Sequence, residues 1–486
     1  MNGSIESCPH LFGACIIVSL LIILSGCATV GPDYAAPDIS SPTAWHSELK
    51  GGIVNDTMEP RVLARWWTAL GDPALSDLID RAVTGNLDVK EARGRLNEAR
   101  ARRGLSRTDL FPTVDASSSA TKQYGNKQES ESYAAGFDAS WEIDIFGGTR
   151  RSIEAAEADL QASEEDLRNV LVSLTAEVAL NYIGLRTYQL QLSTAEENLF
   201  IQQETYDLTK WRAQAGLDDE LAVQQSRYNL ESTRAEIPSL RNSLEESKNC
   251  IAVLLGRQPG TLHAELETLA PLPAVPPDIA VGIPAEALRH RPDVRKTERE
   301  LAAQTARIGE ATADLYPRFK LAGTIGLESV QSSRLLKSSS RFWSIGPSIS
   351  WNIFDAGAVR RNIEVQTALQ EQQLAAYEAT ILNALQEVEN AIVAYAEEQN
   401  RRHALSDAVE AAQCAVELSR TKYQAGLVDF ATLLDAERSL LSYQDQLVQS
   451  NGTVVSNLIR LYKVLGGGWE VEHEDETKDR GNGDEK

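Results

Sequence analysis

Two stretches, Thr149–Gln214 and Ala358–Gln424, run without proline, and Gly184 is the only glycine in either. About 66 helical residues at 1.5 Å each span roughly 100 Å, several times the length of an ordinary globular helix. In the first stretch Ile153, Ala156, Leu160, Leu167, Leu171, Leu174, Val178, Leu185, Leu192 and Leu199 recur at mixed three-four spacing. That is a coiled-coil pattern, an apolar stripe that must be covered by other helices. Each stretch ends in Gln-Ala-Gly-Leu, at Gln214–Leu217 and Gln424–Leu427. A further helical segment follows each, 218–255 and 429–465. Gly216 and Gly426 therefore read as tight turns, where glycine's freedom is needed, and the chain carries two long helical hairpins.

The hairpins belong to a duplicated unit. Asn86-Leu87-Asp88-Val89 matches Arg291-Pro292-Asp293-Val294, and Asp109-Leu110-Phe111-Pro112 matches Asp314-Leu315-Tyr316-Pro317, both at an offset of 205. Trp141-Glu142-Ile143 matches Trp351-Asn352-Ile353, and Leu255-Gly256 matches Leu465-Gly466, at an offset of 210. So few gaps over the whole chain imply gene duplication. Each half opens with a helix ending before Phe111-Pro112 or Tyr316-Pro317, since proline restricts the residue before it. The first of these is broken at Gly85-Asn86, and the second covers about 292–315.

Each half then offers two strands. Tyr133–Ile143 alternates strictly, with Tyr133, Ala135, Phe137, Ala139, Trp141 and Ile143 on one face. Asp138 and Glu142 lie on the other. Phe342–Ile353 is its copy, although Pro347 is awkward in a central strand. Weaker strands are expected over 113–121 and 319–328, with loops over 122–132 and 329–341. Four strands with one apolar face, flanked by very long helices, leave nothing to cover that face. They suit a transmembrane β-barrel with aromatic residues such as Trp141, Trp351, Tyr133, Phe342 and Trp343 near the interfaces. Lipid tolerates no open sheet edge and four strands cannot close, so the barrel must be shared among chains; a trimer gives twelve strands and a dimer eight.

Composition agrees with a non-enzymatic envelope protein. The 486 residues hold 47 Lys+Arg against 70 Asp+Glu, a net charge of −23, which gives nucleic acid no basic surface to bind. The six histidines are scattered, and no metal, phosphate-loop, nucleophile-elbow or dinucleotide motif occurs. Leu11–Leu24 is an apolar run too short to span a bilayer, and Leu24-Ser25-Gly26-Cys27 follows it. This reads as a signal peptide over 1–26 with a lipobox. Cleavage leaves Cys27 carrying diacylglycerol and N-acyl lipid, whose chains anchor by about 0.8 kcal/mol per buried CH₂. Thr29, Gly31 and Pro32 then suit a surface tether. No Lys or Arg precedes the apolar run, an untidy feature for a leader. Cys250 and Cys414 sit in helical sequence and are expected to be buried small apolar residues. The proline-rich 257–284 reads as an ordered wrapping linker, and 470–486, with eight acidic and three basic residues, as a solvated disordered tail.

Several motifs in order now carry a family resemblance. They are Gly31-Pro32-Asp33-Tyr34-Ala35-Ala36-Pro37 after Cys27, Arg65-Trp66-Trp67, Leu70-Gly71-Asp72-Pro73, Trp141 to Gly147, Arg289 to Val294, Trp351 to Gly357, and Tyr423 to Gly426. Over about residues 24–469 the chain resembles the TolC-like outer-membrane factor family, in its NodT/OprM lipoprotein branch. The resemblance implies a mixed α/β membrane protein: a homotrimer with a twelve-stranded transmembrane β-barrel, four strands per chain, continuous with a periplasmic α-helical barrel. It also implies an equatorial domain built from the chain ends, 27–74 among them, and the linker that ends at Pro284, with the repeats at 75–256 and 285–469. Members are passive exit ducts without cofactors. They dock to a periplasmic adaptor and an inner-membrane pump, usually of the resistance-nodulation-division type, in the Gram-negative outer membrane.

Candidate functional residues follow. Asp218, Asp219, Glu220, Asp429 and Asp435 follow the two tip glycines, and a trimer turns each into a ring of like charge at a periplasmic gate. Asp218 and Asp429 are also placed to cap the helices they precede. The turns Ala215-Gly216-Leu217 and Ala425-Gly426-Leu427 are adaptor contacts by resemblance. Asp138, Glu142 and Asp144 are expected to make the barrel lumen negative, and Arg65-Trp66-Trp67 to pack a core. Two rivals remain: a duct for type I protein secretion, and a structural envelope lipoprotein without a pore.

Overall fold

The computed structural model describes residues 29–38, 42–56, 59–125 and 128–469. The leader, Cys27 and the acidic tail lie outside them. The duplication is visible in the element lengths. Helices α1 (Pro60–Ala64), α2 (Pro73–Gly85) and α3 (Leu87–Thr108) precede strands β2 (Thr113–Gly125) and β3 (Gln128–Ile143). The helices α4 (Gly148–Gln214) and α5 (Glu220–Leu254) follow. The second copy is α6 (Pro284–His290), α7 (Pro292–Ala313), β5 (Arg318–Ser329), β6 (Arg341–Ser350), α8 (Ala358–Gln424) and α9 (Phe430–Val464). The helices α4 and α8 have 67 residues each, and α5 and α9 have 35 each. Two short strands, β1 (Ile53–Val54) and β4 (Ile279–Ala280), pair in parallel.

The chain divides into two compact units, and neither is a repeat. One is made of residues up to Asp38, Arg95–Glu164 and Lys296–Ala379; the other of Ile39–Gly94, Glu165–Arg295 and from Thr380 on.

The first unit contains a four-stranded antiparallel sheet in the order β2-β3-β5-β6. The two hairpins lie side by side, with Phe137 opposite Ile325 and Ile325 opposite Trp343. The first hairpin is longer than its alternation announces. Residues 122–125 and 128–132, expected as loop, are paired strand with Lys122 opposite Glu131. Polar side chains there hide the strand from a hydrophobic pattern, but the ladder needs only backbone groups. The second copy ends earlier, at Ser350, so Trp351 and Ile353 lie outside its strand.

Residues 29–38 are not a free tether. Val30 donates its N–H to the Phe146 carbonyl at 3.1 Å. Arg151, on the first turn of α4, donates Nε to the Val30 carbonyl at 3.1 Å and Nη2 to Asp33 Oδ1 at 2.6 Å. Its side chain is 3% exposed. Further along, Tyr34 donates to Glu298 at 3.1 Å and packs on Ala158, Ala302 and Ala303.

The second unit holds the main core. Trp66 and Trp67 are wholly buried, and Trp66 stacks on Tyr462 with ring centres 5.5 Å apart. Asp72 caps α2 by accepting from the amides of Ala74 and Leu75, and its other oxygen accepts from Tyr182 Oη at 2.7 Å. The Gly85-Asn86 break has a clear cause. Asn86 Oδ1 accepts from the amides of Asp88 and Val89, and its Nδ2 donates to the Leu254 carbonyl. One side chain thus starts α3 and fastens it to the end of α5. The linker is ordered around Leu262 and Leu266, both buried in this core. Arg186 and Gln189 donate to its carbonyls at Thr268 and Leu266. Cys250 and Cys414 are exposed, contrary to the expectation of burial. Both fall on the outward face of their helices, where helical sequence alone does not reveal the phase.

Arg151 is the clamp of the 29–38 strap, so Arg151→Ala is expected to release it. Chymotryptic cleavage after Tyr34, followed by mass spectrometry on the folded protein, is expected to speed up about tenfold, as for the loss of one charge-assisted hydrogen bond.

Candidate functional site

Two surfaces carry functional geometry, one in each unit. On the sheet, one face is apolar and uncovered. Phe137, Ile325 and Trp343 form one cross-strand row, Trp141, Leu321 and Pro347 a second, and Ile143, Phe319 and Ile349 a third. Trp343 is 74% exposed and Ile345 67%. Such a face in water carries a hydrophobic cost of about 25 cal/mol per Å², and a surface of this kind marks a binding or membrane face. The indoles at the strand ends are tied down in parallel fashion. Trp141 Nε1 donates to the Leu110 carbonyl at 2.9 Å and Trp351 Nε1 to the Leu315 carbonyl at 3.1 Å. Tryptophan with its ring exposed and its N–H satisfied suits a lipid–water interface.

The opposite face is polar. Asp138 lies opposite Asp115 and Thr324 and accepts from Ser117 Oγ at 2.9 Å and Thr324 Oγ1 at 2.8 Å. Glu142 lies opposite Lys320, with their charged atoms 3.5 Å apart, so its negative charge is offset in place. Asp144 is not on this face. It follows the end of β3 and accepts from the Arg150 amide at 3.0 Å and Arg150 Nε at 3.2 Å, fastening the start of α4. Strand alternation extrapolated one residue past the true end misplaced it. Within the chain β2 and β6 each have one paired neighbour, leaving two long open edges among the described residues. Pro347, which lacks a donor, sits on one of these edges.

The second surface is the pair of hairpin turns. The two are nearly superimposable in their bonding. Leu217 donates to the Arg212 carbonyl and Leu427 to the Lys422 carbonyl, both at 2.9 Å. Gly216 has φ +76° and Gly426 φ +71°, the left-handed values that close a helix end. Ala215, Gly216, Leu217, Ala425, Gly426 and Leu427 are all exposed.

The five tip carboxylates play different parts. Asp219, not Asp218, caps α5, accepting from the Ala222 amide at 2.9 Å. The offset of 210 that pairs Asp219 with Asp429 already carried this signal. Asp429 caps α9 as expected, accepting from the Thr432 amide at 3.0 Å and hydroxyl at 2.6 Å, and these bonds hold its pKa down. Glu220 accepts from Gln224 on its own helix, and Asp435 is exposed.

Asp218 instead links the two repeats. Its Oδ2 accepts from Arg212 Nε at 2.8 Å and from the hydroxyl of Tyr423, a residue 205 positions away. The Arg212 guanidinium also lies over the Tyr423 ring, 4.5 Å from its centre. Tyr423 is buried against Phe430, Leu433 and Leu434. Burial and the Asp218 bond push its hydroxyl up to about 12, so it remains a donor at neutral pH. Sequence reading missed this link, because the repeat partner of Asp218 is Val428 and the motif has no internal echo.

Tyr423→Phe removes the hydroxyl alone. Amide exchange over 218–224 and 430–434 is expected to rise about fivefold, the loss of one hydrogen bond of about 1 kcal/mol. In the wild type this contribution belongs to a raised pKa. It is fully present below pH 10 and is lost as pH climbs to about 12; melting curves of the two proteins across that window are expected to converge.

No cluster of three or more His, Cys, Asp or Glu side chains suited to a metal occurs among the described residues. The family described as outer membrane efflux protein matches residues 78–257 and 283–467. Nodulation protein T of Rhizobium leguminosarum bv. trifolii is 34% identical over 451 residues, covering 91% of this chain and 94% of that protein. The cation efflux system protein CusC of Escherichia coli O6:H1 is 31% identical over 457 residues, 92% and 97% of the two chains. Among solved structures, the outer-membrane channel OprN is 38% identical with a TM-score of 0.86, over 91% of this chain and all of that one. The open state of the Neisseria gonorrhoeae MtrE outer membrane channel is 30% identical with a TM-score of 0.79, over 91% and 99%. With that match and these likenesses, the chain belongs to the outer membrane efflux protein family, whose members are transport conduits and not enzymes.

Proposed function

We propose that three copies of this chain form one passive exit duct in the outer membrane, with a twelve-stranded barrel and a periplasmic tube of helical hairpins. The observation that carries this reading is the sheet. It has an apolar uncovered face, a polar face bearing Asp138, and two open edges. In lipid every edge must be paired, and copies of the same chain supply the pairing partners without any new element. Three copies give twelve strands, an even number within the range of known barrels.

The duct has no energy source of its own. The exposed Ala215–Leu217 and Ala425–Leu427 turns are the surfaces proposed to meet a periplasmic adaptor, with an inner-membrane pump of the resistance-nodulation-division type behind it. The Asp218–Tyr423–Arg212 cluster is proposed as the clasp of a gate, with Asp219, Glu220, Asp429 and Asp435 setting a negative field at the tip. The cargo is proposed to be small molecules or ions, in keeping with relatives named for cation, antibiotic, solvent and toluene efflux. Cys27 is proposed to carry the lipid anchor, supported by the Leu24-Ser25-Gly26-Cys27 sequence.

Extraction into detergent followed by single-particle imaging tests the assembly. A threefold hollow particle that conducts ions in planar bilayers is expected; a monomer or a solid coiled rod from undegraded protein rules the duct out. The anchor has its own test. Intact-mass analysis is expected to show an acylated mature N-terminus starting at Cys27, absent in Cys27→Ala. An unmodified cysteine in the wild type removes the anchor and leaves the duct standing.

A further inference from the structure

Within the first unit the two repeats meet along α4 and α7, which run antiparallel. Arg299 Nη1 donates to Gln161 at 3.3 Å, and a Cβ on Gly309 would stand 2.8 Å from Arg151 Cγ. Buried here are Arg151, Ala155, Ala158 and Ala162 of α4 and Ala302, Ala306 and Gly309 of α7. Shifted by the repeat offsets of 210 and 205, the same stripes are Arg361, Val365, Ala368 and Gln372 on α8, and Asn97, Ala101 and Gly104 on α3. Every one of these copies is exposed, and nothing lies within 4 Å of a Cβ built on Gly104. Their three-four spacing makes each stripe one half of a coiled-coil seam. Both helices flank the open sheet edges, since α3 runs into β2 and α8 follows β6.

Charge distinguishes the exposed seam from the buried one. Arg93, Arg100 and Arg107 recur every seven residues on α3, and Glu364, Glu371 and Glu378 do so on α8. Each row lies one residue before a seam position, where flanking charges set partner choice and orientation in a coiled coil. Arg100, Arg107, Glu371 and Glu378 are exposed and form no ion pair among the described residues. Laying α8 on α3 as α4 lies on α7 puts Arg361 on Gly104, Arg100 beside Glu364 and Arg93 beside Glu371. Inside the chain the equivalent positions are Thr305 with Glu154 and Glu298 with Gln161, neither of them opposite charges. There the 29–38 strap fastens the joint through Arg151 and Tyr34. A joint within one chain has its partner fixed by covalent connection. A joint between chains must choose its partner, and complementary charge is a means of choosing.

We propose that α8 of one copy packs on α3 of the next in the register that α4 and α7 show within the chain, and that the arginine row of α3 and the glutamate row of α8 select the neighbour, admitting copies of this chain and excluding chains without the matching rows. The inference rests on the shared-barrel reading above and adds the faces that meet and the charges that choose.

Arg93→Glu, Arg100→Glu, Glu364→Arg and Glu371→Arg together invert the rows and keep them complementary. Wild type and this inverted chain, carrying different affinity tags, are co-expressed and extracted from membranes in detergent. Each is expected to form trimers with itself. Mixed trimers are expected to be about tenfold rarer than between two differently tagged wild-type chains. Mixing as free as in that control overturns the selection. A second measurement tests the register and alone decides if the inverted chain does not assemble. With Cys250 and Cys414 replaced by serine, Arg100→Cys and Glu364→Cys in one chain are expected to yield covalent trimers with a short bis-maleimide, and either cysteine alone none. Trimeric particles that do not cross-link overturn this inference and leave the duct standing. A wild type that is monomeric in detergent fails the duct itself.

Discussion

Everything else in the molecule follows from one unsatisfied requirement, the pairing of backbone groups at the edges of a four-stranded sheet. Strands β2 and β6 are the edges of this sheet, and each presents a row of N–H and C=O groups with no neighbouring strand among the described residues. In water this edge invites aggregation; in lipid each open group costs several kcal/mol. The apolar rows headed by Phe137, Trp141 and Ile143 remove water as the solvent for that face. An assembly of identical chains closes the ring and satisfies both demands together.

Closure by repetition also explains why the helices resist description as a globular core. Their buried stripes are narrow, and much of their surface stays open in one chain. Where α9 meets the Trp66, Trp67 and Tyr462 core, packing is apolar and dense. Toward the hairpin turns it gives way to buried polar residues such as Asn198, Thr205 and Glu437, and it becomes apolar again around Tyr423, Phe430, Leu433 and Leu434. Polar seams trade stability for register and reversibility. The same hairpins carry the hydrogen bond by which Tyr423 reaches Asp218 in the other repeat.

Much of the architecture was readable because its periods are long and repeated. Proline-free runs announced α4 and α8 to within a residue, and the duplicated Gln-Ala-Gly-Leu announced both turns. Strict alternation announced the core of β3. The failures have one character. Asp144 was placed on the polar face by extending an alternation past the strand, and residues 122–125 and 128–132 were read as loop because their side chains are polar. Cys250 and Cys414 were read as buried because a helical setting does not give the phase of a helix. In each case the deciding quantity was local backbone geometry, which composition does not encode.

By itself the sequence determined the duplication, the hairpin turns, the amphipathic sheet and the absence of catalytic motifs, since periodicity and spacing are properties of the chain. Only the tertiary structure decided that Asp219 caps α5 while Asp218 reaches Tyr423, that Arg151 holds the 29–38 strap, and that Thr205 of α4 reaches the buried Glu437 of α9. Those assignments depend on distances between residues far apart in sequence. A carboxylate's role is set by which donor lies within about 3 Å of it, and a single sequence does not state that distance.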